Sequence, residues 1–294
     1  MTCPNVIFVQ PFNLSAALAE SCGKRVVVVD VAFDAQGFER TTLPFIEVLG
    51  DRLIAYVDHH PHTLWSDPRF ASDPRFVLVP REQAPACPPI LTQELVQSWG
   101  EIDTIIAHGD FDGVMSTVMV ATGGIEPYKG AIADSIAADS RIGKLSSTGQ
   151  RLEDAIKADL RDDAPRHAIF NELVYGDAVA RQKVSEAAQR YLAIQANTTE
   201  LAKVYEVDGK VAYVTAIDVP TFDLTQLLLS GQKLAQFAVV VQNQRIGKTE
   251  VSVACKVGTV NLVQAFSLSG GAPNVVHLPD QNLAIVLKAL NSLI

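Results

Sequence analysis

The chain has 294 residues, of which 48% are hydrophobic and 19% charged, and its net charge is −9. This length suits two ordinary domains or one large one, with ample apolar content for a core. The acidic balance argues against a sequence-independent grip on duplex DNA, which needs many Lys and Arg side chains against phosphates. A small anionic substrate stays compatible, because bound cations can supply local positive charge.

The cysteines are scattered and form no CxxC pair, which is typical of free thiols in a reducing compartment. The amino terminus has neither a basic start nor a long apolar run. No stretch reaches the roughly 20 apolar residues of a membrane helix. We therefore expect a cytoplasmic protein with no membrane partner.

Short β-branched runs alternate with helical patterns through the first half of the chain. The patterns predict buried strands at 6–9, 26–29, 53–57 and 104–107, and helices at 14–20, 43–49 and 91–99. Such alternation is typical of a largely parallel sheet with helices on both faces. The first half therefore predicts a doubly wound α/β domain.

Residues 61–89 interrupt this rhythm with a cluster of prolines: Pro61, Pro68, Pro74, Pro80, Pro85, Pro88 and Pro89. Proline disfavours regular helix and central strand, so we interpret the segment as a long surface loop with one short strand near 76–79. A loop of this length is typically either functional or mobile.

The second half begins with helical patterns and ends with strands. Residues 178–206 contain no Pro or Gly and predict one long helix or two joined ones, which suits a connector. Strands are predicted at 211–217, 237–243, 250–256 and 259–266, followed by a final helix at 281–293. The chain thus divides into a first domain over 1–195, a helical connector, and a smaller α/β domain over 206–294.

Acids and histidines follow three of the predicted strands at the point where each strand ends. They are Asp30 after the second strand, Asp58, His59 and His60 after the third, and His108, Asp110 and Asp112 after the fourth. Parallel strands present their carboxyl ends at one edge of a sheet, so we expect these side chains to meet there. Alternative roles are a helix cap for Asp110 and Asp112 and an ordinary strand-terminating acid for Asp30.

Carboxylate oxygens and imidazole nitrogens suit Mn²⁺, Mg²⁺, Zn²⁺ or Fe²⁺, whereas the absence of nearby thiolates argues against a closed structural zinc site. Seven potential ligands exceed the needs of one ion. Two ions about 3.5–4 Å apart, bridged by a carboxylate, would use them. Such a pair suits phosphoryl chemistry, because one ion activates water and both neutralise charge on the phosphate.

Several segments resemble motifs of the DHH phosphoesterase superfamily. They are VVVVD with AYVDHHPH, HGDFDGVMS, AIADSIAADSRIG and, near the carboxyl terminus, FSLSGGAPNVVHLP, which resembles the Gly-rich loop of the DHH-associated C-terminal domain. The resemblance covers most of the chain and implies a site in a cleft between two domains. In the family the Asp-x-Asp-Gly motif comes first, whereas here it follows Asp-His-His, so the motif order is permuted.

The resemblance also implies roles for the candidate ligands. One ion, most simply Mn²⁺, would be held by His108 and Asp110, and a second by His59 and Asp112, with Asp30 as the bridge. Asp134 would complete the set, with Asp139 and Asp177 as competitors for that place. His60 would touch the phosphate or orient a ligand, and Asp58 would hold the histidine pair.

The resemblance implies substrate contacts at Gly270 and Gly271, where bare backbone lets a phosphate approach, and a phosphate clamp in the second domain, for which Lys256 and His277 are candidates. Arg141 follows the Asp134 segment and is a candidate catalytic residue. Arg245 and Lys248 are weaker candidates, and any of these basic residues could equally be solvated. Gly270 and Gly271 could form an ordinary tight turn. The family loop usually ends in His, whereas Ala272 stands at that position here, and His277 is a potential substitute.

The leading functional hypothesis is hydrolysis of a phosphodiester in a short single-stranded oligonucleotide or small nucleotide by metal-activated water. The alternatives are a phosphoanhydride hydrolase acting on pyrophosphate or polyphosphate, and a catalytically weak nucleotide-binding protein with the same fold. A homodimer is compatible with the sequence.

Overall fold

The computed structural model describes residues 4–35, 37–140, 142–160, 162–243, 248–256, 258–268 and 274–293. The chain forms two compact units, Met1–Arg190 and Tyr191–Ile294. The division falls within a long helix, Ala178–Ala202. The predicted domain limits at 195 and 206 stay a prediction.

The first unit alternates strands and helices. Its described strands are β1 (Asn5–Val9), β2 (Val26–Val29), β3 (Leu53–Asp58), β4 (Phe76–Leu78) and β5 (Thr104–His108). Its described helices are α1 (Ala16–Ser21), α2 (Thr42–Leu49), α3 (Pro68–Ala71), α4 (Gln93–Ser98), α5 (Phe111–Ala121), α6 (Ala131–Ser140), α7 (Ser147–Ala158), α8 (Ala164–Tyr175) and α9 (Ala178–Ala202). Short 3₁₀ turns occupy Pro11–Asn13, Gly50–Arg52, Thr63–Ser66 and Pro88–Ile90.

The five strands form one sheet in the order β1-β5-β2-β3-β4, and every neighbouring pair is parallel. The chain passes from β1 to β2, continues outward to β3 and β4, and then returns to place β5 between β1 and β2. The predicted parallel sheet is thus confirmed. The return of β5 brings its carboxyl end beside that of β2.

Both faces of this sheet are covered by helices, as a doubly wound fold requires. Because successive side chains of a strand point to opposite faces, the valine run of β2 divides between two cores. One core combines Val27, Val29, Ile105 and Ala107 with side chains of α5, α7, α8 and the first half of α9. The other combines Val26, Val28 and Ile106 with side chains of α1 and α2.

The second unit is a smaller mixed α/β layer. Its described strands are β6 (Glu206–Asp208), β7 (Val211–Ala216), β8 (Phe237–Asn243), β9 (Thr249–Cys255) and β10 (Val275–Pro279), and its further helices are α10 (Leu224–Gly231), α11 (Leu262–Ala265) and α12 (Leu283–Ser292). The sheet order is β10-β9-β8-β7-β6, in which β7 and β8 are parallel and the other pairs antiparallel. The predicted α/β class therefore holds for both units.

The strand predicted at 259–266 is wrong. Part of this stretch forms the short helix α11, because the Asn261 side chain accepts a hydrogen bond from the Gln264 N–H at 3.1 Å and so caps a helical turn. The place next to β9 is taken instead by β10, which the sequence pattern did not predict. The sequence also did not predict α10 or the short edge strand β6.

The proline-rich segment 61–89 is more ordered than the sequence indicated. It contains a 3₁₀ turn, α3 and β4, and it buries Ala84, Ala86 and Cys87 completely or nearly so. Among the helices of the described residues, none is long and apolar enough to cross a membrane.

Tyr56 links the middle of the first sheet to the turn that follows β2. Its side chain is fully buried, stacks on Phe76 and donates a hydrogen bond from its hydroxyl to the Val31 carbonyl at 2.7 Å. Val31 directly follows Asp30, so this bond fixes the backbone next to a candidate ligand.

We expect Tyr56→Phe to lower the free energy of unfolding by about 1–3 kcal/mol, because the Val31 carbonyl loses its buried donor. Chemical denaturation would measure the change. The control is Tyr213→Phe, whose hydroxyl binds Glu206 at the surface, where water can replace it. Equal stability of the Tyr56 variant and wild type would contradict the role assigned to this bond.

Candidate metal centre

The adjacent carboxyl ends of β5, β2 and β3 bring most of the predicted ligands together. Their donor atoms form three groups within 4.8 Å: Asp30 with His59 and His60, Asp30 with His108 and Asp110, and His59 with Asp112 and Asp139. Asp30 and His59 each belong to two groups. The three groups therefore form one continuous cluster of oxygen and nitrogen donors.

Asp30 lies at the centre of this cluster with an unusual backbone. Its φ is 59°, in the left-handed region that residues other than glycine seldom adopt, although aspartate tolerates it better than most. Its N–H donates to the Val57 carbonyl at 2.9 Å, and its side chain is almost completely buried. Burial raises the pKa of Asp30 well above its ordinary value, and the charges of Asp112 and Asp110 raise it further.

His59 presents a lone pair to two carboxylates. Its Nδ1 lies 3.1 Å from the Ala84 carbonyl oxygen, which can only accept, so Nδ1 carries the proton. Nε2 is then unprotonated in the neutral ring, yet it lies 3.1 Å from Asp30 Oδ1 and 3.5 Å from Asp112 Oδ2. Burial lowers the pKa of His59, with further lowering by His60, which favours this neutral form. Three electron-rich atoms therefore face one another.

Most of the unsatisfied buried polar atoms of the described residues lie in this cluster. They are both oxygens of Asp30, Asp58 Oδ2, His59 Nε2 and Asp139 Oδ2. Leaving such atoms unpaired costs about 1–3 kcal/mol each, and more when they are charged. A divalent cation would satisfy them, and carboxylate with imidazole suits Mn²⁺, Mg²⁺, Zn²⁺ or Fe²⁺. These buried Asp and His groups could hold a metal ion.

Asp110 and Asp112 lie at the amino-terminal end of α5 and also belong to the donor cluster. Asp110 caps α5 by accepting a hydrogen bond from the Gly113 N–H at 3.3 Å, and Asp112 lies in the first turn. Asp112 Oδ2 also accepts from the Cys87 N–H at 3.2 Å. Burial raises the pKa of Asp112, and the charges of Asp110 and Asp139 raise it further. The capping alternative and the ligand alternative are thus compatible.

His108 is oriented from both sides. Its Nδ1 lies 2.8 Å from Asp110 Oδ2, and its Nε2 lies 3.1 Å from Gln10 Oε1 at the end of β1. Burial lowers the pKa of His108, but the hydrogen bond and charge of Asp110 outweigh it, so the pKa is raised overall. The same pairing outweighs burial at Asp110 and lowers its pKa to about 2.

Gly113 has a steric reason to be glycine. A Cβ atom here would lie 2.2 Å from the His108 carbonyl oxygen and 3.0 Å from Asp30 Oδ2. Any side chain would therefore force α5 away from the end of β5 or displace Asp30. The Asp-x-Asp-Gly pattern is explained by this close approach.

His60 and Asp58 form a pair at the edge of the cluster. Asp58 Oδ1 lies 2.8 Å from His60 Nδ1, and Asp58 is fully buried, whereas the His60 side chain is partly exposed. If His60 Nδ1 carries the proton, Asp58 holds the ring with Nε2 available to a ligand.

Among the described residues, Asp139 belongs to one of the three groups, whereas Asp134 belongs to none of them. The buried Asp134 carboxylate accepts hydrogen bonds from the Tyr128 hydroxyl and from the backbone and hydroxyl of Ser146, so its oxygens are occupied by the protein. Asp139 lies on the same helix, α6, five residues further on. That spacing turns its side chain to another face, where it approaches His59 and Asp112. Asp177, the other competitor, caps the start of α9.

The proline-rich segment supplies supporting contacts that sequence reasoning missed. Its backbone provides the Ala84 carbonyl to His59 and the Cys87 N–H to Asp112, and its Arg81 side chain pairs with Asp139 at 3.2 Å. Backbone contacts leave no residue-type signal. The position of the segment, directly after Asp-His-His, was the available hint.

Several predicted substrate residues are not members of the three groups or fall outside the described residues. Arg141, Arg245, Gly270, Gly271 and Ala272 fall outside the described residues. Lys256 is exposed and Lys248 pairs with Asp280, both in the second unit. His277 lies on β10, with its Nδ1 2.9 Å from the Ser252 hydroxyl. Neither Lys256 nor His277 is part of the three groups.

Comparisons with known proteins add little to this geometry. No family model and no curated protein matches the chain. One similar solved structure is a pGpG-specific phosphodiesterase, PggH, from Vibrio cholerae, with 11% identity over 92% of this chain and 98% of that chain and a TM-score of 0.45. Another is an uncharacterized protein from Helicobacter pylori G27, with 11% identity over 94% and 84% and a TM-score of 0.23. At these TM-scores neither likeness carries an argument.

The contrast between Asp139 and Asp134 can be tested with matched variants. We expect Asp139→Asn to weaken Mn²⁺ binding at least about tenfold, because it removes the charge of a carboxylate in the cluster. Asp134→Asn should leave Mn²⁺ affinity close to wild type and lower metal-free stability by about 1–3 kcal/mol, through its lost hydrogen bonds. Titration calorimetry and chemical denaturation measure the two effects. The reverse pattern would return Asp134 to the site.

The raised pKa values of Asp30 and Asp112 predict an unusual pH dependence without metal. The folded chain holds these protons more tightly than the unfolded chain, so their contribution is fully present below the unfolded pKa of about 4 and is lost as pH rises through the raised folded values. Melting temperature in chelator should therefore fall less steeply with pH in Asp30→Asn than in wild type. Asparagine also tolerates the left-handed backbone at this position. Identical slopes for the two proteins would contradict the shift assigned to Asp30.

Proposed function

We propose that this chain is a metal-dependent phosphoesterase of the DHH type, which hydrolyses a phosphodiester in a short oligonucleotide or small nucleotide. The observation that carries the proposal is the continuous donor cluster in which Asp30 and His59 each belong to two groups. A cluster of this kind suits two cations that share a bridging ligand.

The residues present fit such a pair of cations. Asp30, His108 and Asp110 would hold one, and His59, Asp112 and Asp139 the other, with Asp30 as the bridge. The unsatisfied oxygens of Asp30 and Asp139 and the lone pair of His59 support this assignment. Mn²⁺ is the proposed metal, and Mg²⁺ offers the same charge with a preference for oxygen.

Two divalent ions held here would supply positive charge to stabilise the phosphate and the attacking water. The residues of the chain do the rest. His60, held through Nδ1 by Asp58, offers Nε2 to a phosphate oxygen or a departing group, where it can donate a proton when charged. Gln10 and Asp110 fix the ring of His108, and Ala84 fixes the ring of His59.

Substrate contacts from the second unit belong to this proposal through the sequence resemblance. Gly270 and Gly271 would let a phosphate approach bare backbone, and Lys256 and His277 would add positive charge or hydrogen bonds. Arg141 would act from the first unit. The acidic net charge of −9 favours a small substrate over a long polyanion.

A substrate panel tests the reaction class. The full chain with Mn²⁺ should hydrolyse di- to pentanucleotides, cyclic dinucleotides or an aryl phosphodiester faster than pyrophosphate. Faster cleavage of pyrophosphate or polyphosphate would assign the chain to phosphoanhydride hydrolysis instead. Metal binding without turnover of any of these compounds would indicate a binding protein.

Asp112→Asn separates a metal ligand from a helix cap. The variant keeps an acceptor for the Cys87 N–H but removes a buried charge, so hydrolysis with Mn²⁺ should fall about 10²- to 10³-fold, as on loss of one major electrostatic contribution. Metal-free stability should rise, because burial and neighbouring charges disfavour the ionised Asp112. Rates on an aryl phosphodiester and melting in chelator measure both effects.

The matched control is Asp154→Asn. Asp154 is also buried and has a pKa raised by burial, but it pairs with Gln150 on α7 and belongs to none of the three groups. We expect its rate to match wild type. A near-normal rate for Asp112→Asn would remove Asp112 from the proposed active site.

A further inference from the structure

Arg81 is a partly exposed cation next to the candidate metal ligands. It follows Pro80 in the proline-rich segment, and its Nη2 lies 3.2 Å from Asp139 Oδ1. Its side chain is 41% exposed, whereas that of Asp139 is 11% exposed. The guanidinium group therefore contacts the cluster through Nη2, while much of the Arg81 side chain is exposed to solvent.

The charge balance of the cluster gives Arg81 a distinct position. Among the described residues, it is the only Arg or Lys whose side chain is ion-paired with a cluster carboxylate. The buried Arg166 also lies close, but it donates to the main-chain carbonyls of Gly109 and Asp162, which fixes it beneath the loop after β5. Of the arginines that the structure describes, Arg81 is therefore the exposed one that contacts this cluster.

The geometry of the Arg81 pair differs from that of two neighbours in the same segment. Arg69 and Arg75 each donate through both Nε and Nη2 to the carboxylates of Asp67 and Asp73, which is the bidentate arrangement typical of a structural pair. Arg81 donates to Asp139 through Nη2 alone. A guanidinium group has five N–H donors, so most of those of Arg81 are not used by Asp139.

We propose that Arg81 binds the phosphate of the substrate beside the metal ligands. This inference rests on the proposed function and assigns one phosphate contact to a residue outside the DHH-type motifs. The planar guanidinium group can donate two parallel hydrogen bonds to two phosphate oxygens. The single contact with Asp139 orients the Arg81 side chain and leaves its other N–H donors for a phosphate. Because Arg81 contacts Asp139, its guanidinium group lies next to a carboxylate that would hold a cation in the proposed site.

A purely supporting role for Arg81 makes a different prediction. If Arg81 only positions Asp139, removing it should weaken Mn²⁺ binding, because a ligand loses its orientation. If Arg81 binds phosphate, removing it should leave Mn²⁺ affinity equal or tighter, because a competing positive charge is gone. Metal affinity and anion affinity therefore distinguish the two roles.

The test uses the full chain saturated with Mn²⁺ and inorganic phosphate as the probe, measured by titration calorimetry. We expect Arg81→Gln to weaken phosphate binding about 10- to 100-fold, as for loss of a charge-assisted hydrogen bond. Arg81→Lys should recover part of the affinity, since it keeps the charge but loses the fork. Arg69→Gln is the control, because it removes a paired arginine from the same segment away from the cluster, and its phosphate affinity should match wild type.

Three results would overturn the inference: no phosphate binding by the wild-type Mn²⁺ form at millimolar concentration, unchanged binding in Arg81→Gln, or a loss explained by weaker Mn²⁺ binding. The proposed function can fail separately. If wild type binds phosphate through Arg81 but hydrolyses no phosphoester, the anion site stands and the hydrolase does not. If hydrolysis occurs and Arg81→Gln changes neither KM nor phosphate affinity, the hydrolase stands and the Arg81 contact does not.

Discussion

The first unit is organised around the lone pair of His59 Nε2, which faces two buried carboxylates. The Ala84 carbonyl fixes the proton on the other ring nitrogen, so the neutral ring presents an unprotonated Nε2 to these carboxyl groups. Asp30 is held by the bond of its N–H to the Val57 carbonyl, and Asp112 by the hydrogen bond that it accepts from the Cys87 N–H. These contacts hold the side chains in place, and a cation bound here would satisfy their unpaired polar atoms.

The strand order explains how acids and histidines from separate segments of the chain meet at one edge of the sheet. In the chain, Asp-His-His precedes His-x-Asp-x-Asp, but in the sheet β5 lies between β1 and β2. The register pairs Ala107 with Val29, one residue before His108 and Asp30 respectively. The chemistry at a sheet edge depends on which strands are neighbours, whereas the order of strands along the chain is set by their connections. The order of these segments along the chain therefore does not decide which of their side chains meet.

Strand ends were predictable because two local signals agree there. The valine run of β2 is apolar on both faces, as a central parallel strand must be, and a single acid marks its end. Asp139 could not be separated from Asp134 in the same way. Both lie on one short helix, and its rotation about its axis is set by packing against α5 and α7. The contacts of the proline-rich segment with His59 and Asp112 could not be predicted from the sequence for another reason. Ala84 and Cys87 make them through backbone groups, which nearly every residue type has.

The incorrect prediction of a strand at 259–266 shows why an apolar sequence pattern alone does not determine secondary structure. Its apolar residues suit a strand, yet Asn261 supplies a local cap that a helical turn can use at once. Pairing with β9 requires a distant partner, and β10 fills that position with its own alternating pattern, buried at Val276 and Leu278. A local hydrogen bond therefore decides against an equally apolar but non-local arrangement.

The cluster lowers the stability of the metal-free chain in several ways that the rest of the unit must offset. A left-handed backbone at Asp30 costs about 1–3 kcal/mol, and unsatisfied buried oxygens add to it. The offset comes from strands buried on both faces and from helices that cover them, where β2 is completely inaccessible to solvent. The strands of this sheet are well packed, whereas the left-handed backbone of Asp30 and the unsatisfied buried oxygens occur together at the carboxyl ends of its strands. Unfavourable local features that are concentrated in one place are typical of a site where a bound ligand offsets their energetic cost. The functional site is therefore expected at this edge of the sheet and not in either apolar core.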